Sequence, residues 1–344
     1  MTDLEVLKKA LPLIREWYKS NPRPLPWRDS PSPYHVWVSE IMLQQTRIEA
    51  VIPYYERFLA EVPDIAALAA LEEERLLKLW EGLGYYSRAR NLQKAALIVT
   101  EQYGGELPAS AEELRKLPGI GDYTAGAIAS IAFSLPEPAV DGNVLRVLTR
   151  LLADAEDISS PAVRKNFTSL LREFYPSGED AGLLTQGLME LGELICLPSG
   201  EIRCADCPVR TLCRSGRDGK ADLYPVKSPS KPRRIEQRTV LLLQCDGKYA
   251  IRQREKRGLL AGLWEFPSLD GRLGEKELRS HYPYAQAIRS CGDAIHVFSH
   301  VEWHMTGFDL EFPHELPGYL WAAPEEIRER YSVPTAFRFY PKQL

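Results

Sequence analysis

The chain has 344 residues, which is too long for one ordinary hydrophobic core and predicts two domains. Hydrophobic residues make up 44% of it and charged residues 26%, a composition typical of soluble globular proteins. The net charge of -4 is a weak argument against a nucleic-acid partner, because binding depends on where the basic side chains lie. No signal peptide or membrane-spanning run is recognisable, which predicts a cytoplasmic protein with no membrane partner.

The N-terminal segment predicts an amphipathic helix followed by a proline-rich loop. One side of this helix is apolar at helical spacing: Leu4, Leu7, Leu11 and Ile14. Five prolines then fall between Asn21 and Trp37, which predicts a surface loop.

Glu40 lies in the next helical segment, among apolar residues. Helical spacing directs Trp37, Ile41 and Ile48 toward a core, and Glu40 falls close to that side of the helix. Desolvation against apolar walls favours the protonated carboxyl group, so Glu40 could act as a general acid near neutral pH. The alternative is a solvated glutamate on an exposed helix face.

A glycine break precedes two tyrosines and a basic turn in the stretch GLGYYSRARNL. Gly82 and Gly84 allow close backbone approach, and an aromatic side chain just beyond them can wedge between base pairs. The alternative is that Tyr85 and Tyr86 are ordinary core or surface aromatics.

Residues 117–146 predict a helical hairpin followed by a carboxylate at a helix start. The turn at Gly119 and Gly121 opens a helix of small residues, where exposed backbone N–H groups can bind a phosphate without reading sequence. A proline-bounded loop then places Asp141 just before an apolar helix, where the helix dipole is expected to keep its carboxylate ionised. An ordinary hairpin with an Asp cap is the alternative.

Four of the six cysteines are closely spaced in a short segment: Cys196, Cys204, Cys207 and Cys213. In a reducing compartment this spacing predicts metal binding rather than disulfides. Four thiolates fit a [4Fe-4S] cluster, which takes one cysteine per iron, and they suit a tetrahedral zinc ion equally well. Basic residues are also concentrated nearby, with ten lysines and arginines against four acidic residues between Arg203 and Arg238.

The composition changes after residue 223. The segment 224–234 contains proline, serine and basic residues without apolar periodicity, which predicts a linker that crosses DNA or another domain. Beyond it, two β-type runs flank Asp246 and Gly247, a strong hairpin signal. Further strands and a short helix follow, so residues 235–344 predict an α+β domain.

These separated segments, in this order, resemble the MutY-type adenine DNA glycosylases of the helix-hairpin-helix (endonuclease III) superfamily. The resemblance rests on VSEIMLQQT with the preceding Trp27, on GLGYYSRARNL, on the hairpin with Asp141, on the cysteines and on GLLAGLWEFP. The superfamily has six residues between its first two cysteines, whereas seven separate Cys196 from Cys204 here.

The resemblance implies a multidomain fold. An all-α helix-hairpin-helix glycosylase domain at 1–223, with an iron-sulfur cluster loop at 196–213, precedes the linker. A Nudix-like domain that recognises 8-oxoguanine occupies 235–344. The metal-binding box of true Nudix hydrolases is missing after Phe266, so Nudix hydrolase activity is not expected.

It also implies an activity: a monomer that hydrolytically removes adenine paired with 8-oxoguanine, and with guanine, from double-stranded DNA in base excision repair. Glu40 would protonate the adenine, and Asp141 would stabilise or capture the sugar. Asn143 and Tyr123 would orient this centre, with the Tyr123 hydroxyl donating to Asp141 or to the sugar. Related lyases carry a lysine at the position of Tyr123, so its absence predicts a monofunctional enzyme.

The same resemblance implies the contact residues. Gln45, Leu83 and Tyr85 would occupy or prop open the vacated base stack, and Phe298, Ser299 and His300 would inspect 8-oxoguanine. The four cysteines would hold a [4Fe-4S] cluster. The other residues expected at the base or the DNA are Trp27, Arg28, Leu43, Arg88, Gly119, Gly121, Gln186 and Met189.

Two other interpretations stay open at this point. An endonuclease III-like enzyme acting on oxidised pyrimidines is disfavoured by Tyr123 and by the extra domain. A catalytically silent iron-sulfur DNA-binding protein is disfavoured by the presence of both Glu40 and Asp141.

Overall fold

The computed structural model describes residues 1–29, 31–229 and 231–337, which form two compact units. The first unit comprises Met1–Ala70 and Asn91–Pro229, and the second comprises Leu71–Arg90 and Ser230–Leu344. Ser230 in the predicted linker and residues 338–344 of the predicted C-terminal domain lie outside the described residues. The predicted fold class, a helical domain followed by a domain with a mixed sheet, is confirmed.

The helices of the described ranges are α1 (Asp3–Ser20), α2 (Pro26–Asp29), α3 (Pro33–Leu43), α4 (Ile48–Glu61), α5 (Ile65–Ala70), α6 (Glu73–Leu79), α7 (Ser87–Gln102), α8 (Ala111–Leu114), α9 (Asp122–Ala132), α10 (Gly142–Leu152), α11 (Pro161–Arg172), α12 (Glu179–Leu194), α13 (Arg214–Arg217), α14 (Glu275–His281) and α15 (Pro324–Arg330). Helices α6, α14 and α15 belong to the second unit. Within these ranges, no helix combines the length and the apolar character needed to cross a bilayer.

Helix α1 follows the amphipathic pattern of its sequence. Thr2 caps its start and forms a reciprocal capping box with Glu5. The helix packs against α12, and three of the four predicted apolar positions are buried: Leu7, Leu11 and Ile14. Leu4 is 37% exposed, so the predicted apolar face is too long by this one residue at its N-terminal end.

The segment after the proline-rich loop forms two helices, α3 and α4. Helix α3 ends at Leu43, and Gln45 adopts a left-handed φ of 59°, so the chain turns before α4 begins at Ile48. Trp37 and Ile41 are buried as predicted. Ile48 is only half-buried because it opens the second helix.

Small residues let α9 approach its neighbours closely. Helices α8 and α9 form the predicted hairpin, and Gly119 in its turn has a φ of 80°, a left-handed conformation that favours glycine. A Cβ on Gly126 would lie 2.3 Å from the carbonyl oxygen of Pro138. The loop that leads to Asp141 therefore crosses α9 where only glycine fits.

One apolar cluster holds the helices that surround Asp141. It contains side chains of α1, α10, α11 and α12, and it includes Val140 and Val144 on either side of Asp141 in the sequence. Cys196, Cys207 and Cys213 pack against its edge. The start of α10 is thus anchored by burial on both sides of the carboxylate.

The second unit is built on a mixed sheet of β1 (Arg234–Cys245), β2 (Lys248–Gln253), β3 (Trp264–Glu265), β4 (Ser268–Asp270), β5 (Ala287–Val297), β6 (Val301–Glu311) and β7 (Leu320–Ala322). The strand order is β3-β2-β1-β6-β5, with β4 paired to β1 and β7 paired to β2. Strands β1 and β6 are parallel, from the pair Arg234 and Val301 to the pair Gln244 and Glu311.

The hairpin predicted at Asp246 and Gly247 is confirmed. Cys245 of β1 pairs with Lys248 of β2, and the two turn residues have φ values of 47° and 75°. Two positive φ values in a two-residue loop match the right-handed twist of the strands.

The sheet buries both of its faces. Alternate residues of β1 point to opposite sides, so Val240 and Leu242 enter one apolar cluster while Leu241 and Leu243 enter another. Helix α15 contributes to the first cluster and helix α14 to the second. This two-sided burial explains the continuous apolar run in β1.

The close approach at Gly126 predicts a large loss of stability on Gly126→Ala. The added methyl group would meet a backbone oxygen that cannot swing away, and we expect the variant to lose about 2 kcal/mol of unfolding free energy, measured by denaturant unfolding. Gly142→Ala is the matched control, because a Cβ there meets nothing within 4 Å. Equal stability of the two variants would contradict the close packing of α9.

Candidate active site

A cavity of about 1210 Å³ opens in the first unit between α2, α3, α9, α10 and α12. It brings together most of the residues that the sequence assigned to catalysis or to base contact: Glu40, Tyr123, Asp141, Asn143, Trp27, Arg28, Leu43, Gln45, Gly121, Gln186 and Met189. Gly119 lies in the exposed hairpin turn and does not line it. The two predicted catalytic carboxylates therefore do line one cavity.

Glu40 is a buried carboxyl group at the cavity wall. Its residue is 5% exposed, and its Oε2 accepts a hydrogen bond from the hydroxyl of Tyr123. Burial raises the pKa of Glu40 to about 7; the hydrogen bond from Tyr123 opposes this rise and the charge of Asp141 adds to it. The predicted burial and raised pKa of Glu40 are thus confirmed.

Tyr123 pairs with a different group from the one expected. Its hydroxyl donates to Glu40 rather than to Asp141, because α9 directs the ring toward α3. Burial raises the pKa of Tyr123 well above its ordinary value, with the charge of Glu40 as a further cause, so the hydroxyl keeps its proton. This position offers a neutral donor and no amine.

Asp141 caps α10, as the sequence predicts. Its Oδ1 accepts a hydrogen bond from the backbone N–H of Val144 at 2.7 Å. Burial in the cavity raises the pKa of Asp141, an effect that the sequence alone did not include. The hydrogen bond from Val144 and the charge of Arg146 oppose this rise without cancelling it.

Asn143 joins α10 to its neighbours. Its Oδ1 accepts a hydrogen bond from Arg146 at 2.8 Å, and its Nδ2 donates to Glu193 at 3.5 Å. Arg146 also donates to the carbonyl oxygens of Gly192 and Cys196, at 2.7 and 2.8 Å. Asn143 therefore stiffens the start of α10.

Glu190 is a cavity residue that the sequence analysis missed. It is 2% exposed, and its Oε1 accepts from Arg28 at 2.7 Å and from Arg23 at 3.0 Å. In the described part of the chain, its Oε2 is buried without a hydrogen-bond partner. Helical spacing could have predicted it, because Glu190 lies one turn after Gln186, on the side of α12 that also carries Met189.

The remaining wall residues are held in place by their neighbours. The Tyr18 hydroxyl donates to Oε1 of Gln186 at 2.9 Å, and the Sδ of Met189 lies 4.0 Å from the Tyr123 hydroxyl. Trp27 is buried, with its ring centroid 5.3 Å from that of Tyr55.

A second cavity, of about 590 Å³, lies within the second unit. It is lined by Tyr85 and by the three predicted inspection residues, Phe298, Ser299 and His300. The hydroxyl groups of Tyr85 and Ser299 are hydrogen-bonded at 2.8 Å. Tyr85 is 47% exposed and has a left-handed φ of 48°, so this side chain is presented to the solvent.

Two residues expected at the DNA are buried. Arg88 is 8% exposed, and its guanidinium donates to the carbonyl oxygens of Leu83 and Gly84, at 3.0 and 3.1 Å. Arg88 holds the glycine loop together in this structure, and its contact with DNA stays a prediction. Leu83 is 6% exposed and would have to leave its packing before entering a base stack.

The four clustered cysteines line one small cavity beside α10 and α13. The Sγ of Cys196 is 3.4 Å from Nη1 of Arg150, and the Sγ of Cys213 accepts from the N–H of Gly216 at 3.4 Å. A Cβ on Gly216 would lie 3.2 Å from that sulfur, so the backbone leaves room beside the thiols. No described set of three or more His, Cys, Asp or Glu side chains is arranged to hold a single ion.

Comparison with known proteins now assigns the class of the chain. Residues 38–173 match the family described as HhH-GPD superfamily base excision DNA repair protein, and residues 238–342 match the NUDIX domain family. A thermostable thymine-DNA glycosylase is similar with a TM-score of 0.55 and 25% identity, over 62% of this chain and 98% of that one. A trapped endonuclease III–DNA covalent intermediate is similar with a TM-score of 0.53 and 25% identity, over 64% and 99%.

These matches and the cavity define a helix-hairpin-helix DNA glycosylase. The adenine DNA glycosylase of Rattus norvegicus is 35% identical over 94% of this chain and 76% of its own length. Those of Homo sapiens and Buchnera aphidicola (strain APS) are 35% and 31% identical, over 96% and 88% of this chain and 73% and 86% of their own lengths. The chain belongs to the adenine DNA glycosylase family, and it is an enzyme that hydrolyses an N-glycosidic bond in DNA.

The raised pKa of Glu40 predicts the high-pH side of the activity profile. A general acid must carry its proton, so we expect the single-turnover rate of base release to fall as the pH rises through about 7, where Glu40 ionises. Glu40→Gln should lower the rate at pH 7 by at least about 100-fold and abolish this decline. A wild-type rate that stays level to pH 9 would contradict the prediction that Glu40 is the general acid.

Proposed function

We propose that this enzyme removes adenine paired with 8-oxoguanine, and with guanine, from double-stranded DNA, as the first step of base excision repair. The observation that carries the proposal is that Glu40 and Asp141 line one cavity, with Glu40 titrating near neutral pH. The glycosidic bond is hidden in a duplex, so the target nucleotide must be flipped into the cavity. The enzyme acts as a monomer.

The chemistry divides between the two carboxyl groups. Glu40 keeps its proton until the substrate is bound and then transfers it to N7 of adenine, which makes the base a better leaving group. Asp141 faces the sugar and stabilises its oxocarbenium-like state, either by charge or through a transient covalent bond. The Tyr123 hydroxyl holds the Glu40 carboxyl group toward the cavity.

The same cavity suits the hydrogen-bonding pattern of adenine. Adenine presents an acceptor at N7 and a donor at its exocyclic amine. The protonated Glu40 offers a donor at the cavity wall, and Glu190, which lines the same cavity, supplies a carboxylate as the acceptor. A keto oxygen in place of the amine would face the Glu190 carboxylate, which cannot donate a hydrogen bond to it.

The residue at position 123 supports a monofunctional enzyme. Strand cleavage by a lyase of this superfamily needs an amine that forms a Schiff base with the sugar, and Tyr123 is a neutral phenol. The expected product is an intact strand with an abasic site.

The second cavity supports recognition of the base opposite the adenine. Oxidation converts the N7 acceptor of guanine into an N–H donor, and the hydroxyl of Ser299 can accept a hydrogen bond from it. Phe298 is held between the rings of His296 and Trp303, with centroids 4.6 and 4.8 Å away, which fixes the backbone beside Ser299.

Gln45, Leu83 and Tyr85 fill or prop open the base stack that the flipped adenine leaves.

Cys196, Cys204, Cys207 and Cys213 are proposed to hold a [4Fe-4S] cluster, since four thiols around one cavity supply one ligand per iron. When bound, such a cluster would cross-link the loop 196–213 and hold it against α10. The chemistry at Glu40 and Asp141 does not require it. The exposed basic residues of this region suit contact with the DNA backbone.

A strand-cleavage assay on a labelled duplex with adenine opposite 8-oxoguanine tests the function. We expect cleavage only after alkali treatment, because base release leaves the strand intact. Asp141→Asn, which keeps the helix cap but removes the charge, should lower base release by at least about 1000-fold while duplex binding persists. Cleavage without alkali would indicate a lyase, and no base release by the wild-type protein would contradict the proposal.

Ser299→Ala should narrow the preference for 8-oxoguanine over guanine opposite the adenine. Loss of one hydrogen bond to the oxidised base predicts a roughly 5- to 10-fold smaller ratio of the two rates at subsaturating duplex. Ser280→Ala, at an exposed serine of α14, is the control and should leave the ratio unchanged. An unchanged ratio in Ser299→Ala would remove Ser299 from the inspection of the opposite base.

A further inference from the structure

Arg164 connects α11 to the segment that carries Asp141. Its side chain is half-buried and lines the same cavity as Asp141. Its Nη1 donates a hydrogen bond to the carbonyl oxygen of Val140, the residue directly before Asp141. A guanidinium group is thus tied to the peptide that joins Val140 to the catalytic carboxylate.

The two ends of this connection are fixed by packing. Val163 and Phe167 place α11 in the apolar cluster that also contains Val140 and Val144. The Asp141 side chain is itself bonded to its own helix through the N–H of Val144. The hydrogen bond from Arg164 comes from a different helix, so it sets where the start of α10 lies in the cavity.

We propose that Arg164 is a positioning residue of the glycosylase reaction, which holds the Val140–Asp141 peptide so that the Asp141 carboxylate faces the flipped nucleotide. The inference rests on the proposed function, because it assigns Asp141 to the sugar. Displacement of a catalytic group by about 1 Å can cost two orders of magnitude in rate, so one such hydrogen bond has a measurable effect.

The positive charge of Arg164 also favours the ionised form of Asp141. Together with Arg146 it lowers the pKa of Asp141, against the stronger effect of burial. The charged or titratable groups that share the cavity lining with Asp141 come from every surrounding element: Arg23, Arg28, Glu40, Arg47, Asp122, Tyr123, Arg146, Arg164, Glu190, Glu193 and Lys227. Arg164 is the member of this set that also holds the backbone of Asp141 from α11.

Arg164→Gln tests the proposal by single-turnover base release across pH. We expect a roughly 10-fold to 100-fold lower rate at pH 7. The low-pH limb of the profile, where Asp141 takes up a proton, should move to higher pH because a positive charge is lost. Arg164→Lys keeps the charge and one donor, so it should restore the limb and most of the rate.

Lys165→Gln is the matched control, since Lys165 is the exposed neighbour on the same helix. It removes the same charge from α11 without touching Val140, and its rate and pH profile should be those of the wild type. Thermal unfolding of each variant checks that the first unit is folded under the assay conditions.

Three outcomes would overturn the positioning role. One is a lower rate in Arg164→Gln with an unmoved low-pH limb, and another is a loss of duplex affinity with an unchanged single-turnover rate, which indicates a phosphate contact. The third is a rate equal to that of the wild type. If the wild-type enzyme itself releases no adenine, the proposed function fails instead, and the two failures are distinguishable.

Discussion

The hydrogen bond between the Tyr123 hydroxyl and the Glu40 carboxyl group is the contact on which the site depends. It joins α9 to α3 inside the cavity wall, where Glu40 is almost removed from solvent. Burial favours the neutral acid, while the phenol hydrogen bond limits that effect, and the balance leaves the pKa of Glu40 near 7. A carboxyl group in an exposed helix would be ionised at neutral pH, with no proton to give.

Asp141 lines the same cavity as Glu40, but different groups surround its carboxylate. Burial raises the pKa of this group too, but a backbone N–H and nearby guanidinium groups act against the rise. The helix cap alone does not place the carboxylate. The close crossing at Gly126, the apolar residues on both sides of Asp141 and the hydrogen bond from Arg164 to Val140 together fix its direction.

In the second unit, a buried sheet likewise holds the residues that line a cavity. Its sheet is covered on both faces, and the loop between β5 and β6 presents Phe298, Ser299 and His300 at a cavity that Tyr85 also lines. Residues 71–90 belong to this compact unit, although the larger part of the helical unit follows them in sequence. The glycine loop that carries Tyr85 is held by Arg88, a side chain that a sequence pattern assigns to DNA.

The sequence by itself determined that the chain forms two domains, through its length and the change of composition after residue 223. It also determined the hairpin before α9, the tight turn at Asp246 and Gly247 and the cap at Asp141, because each follows from local periodicity or turn chemistry. It also placed Glu40 among apolar residues. Only the tertiary structure decided that Tyr123 pairs with Glu40, that burial outweighs the helix start at Asp141, that Arg88 and Leu83 are buried and that Glu190 lines the cavity. Desolvation and hydrogen-bond partners depend on residues far apart in the chain, and a local pattern does not contain them.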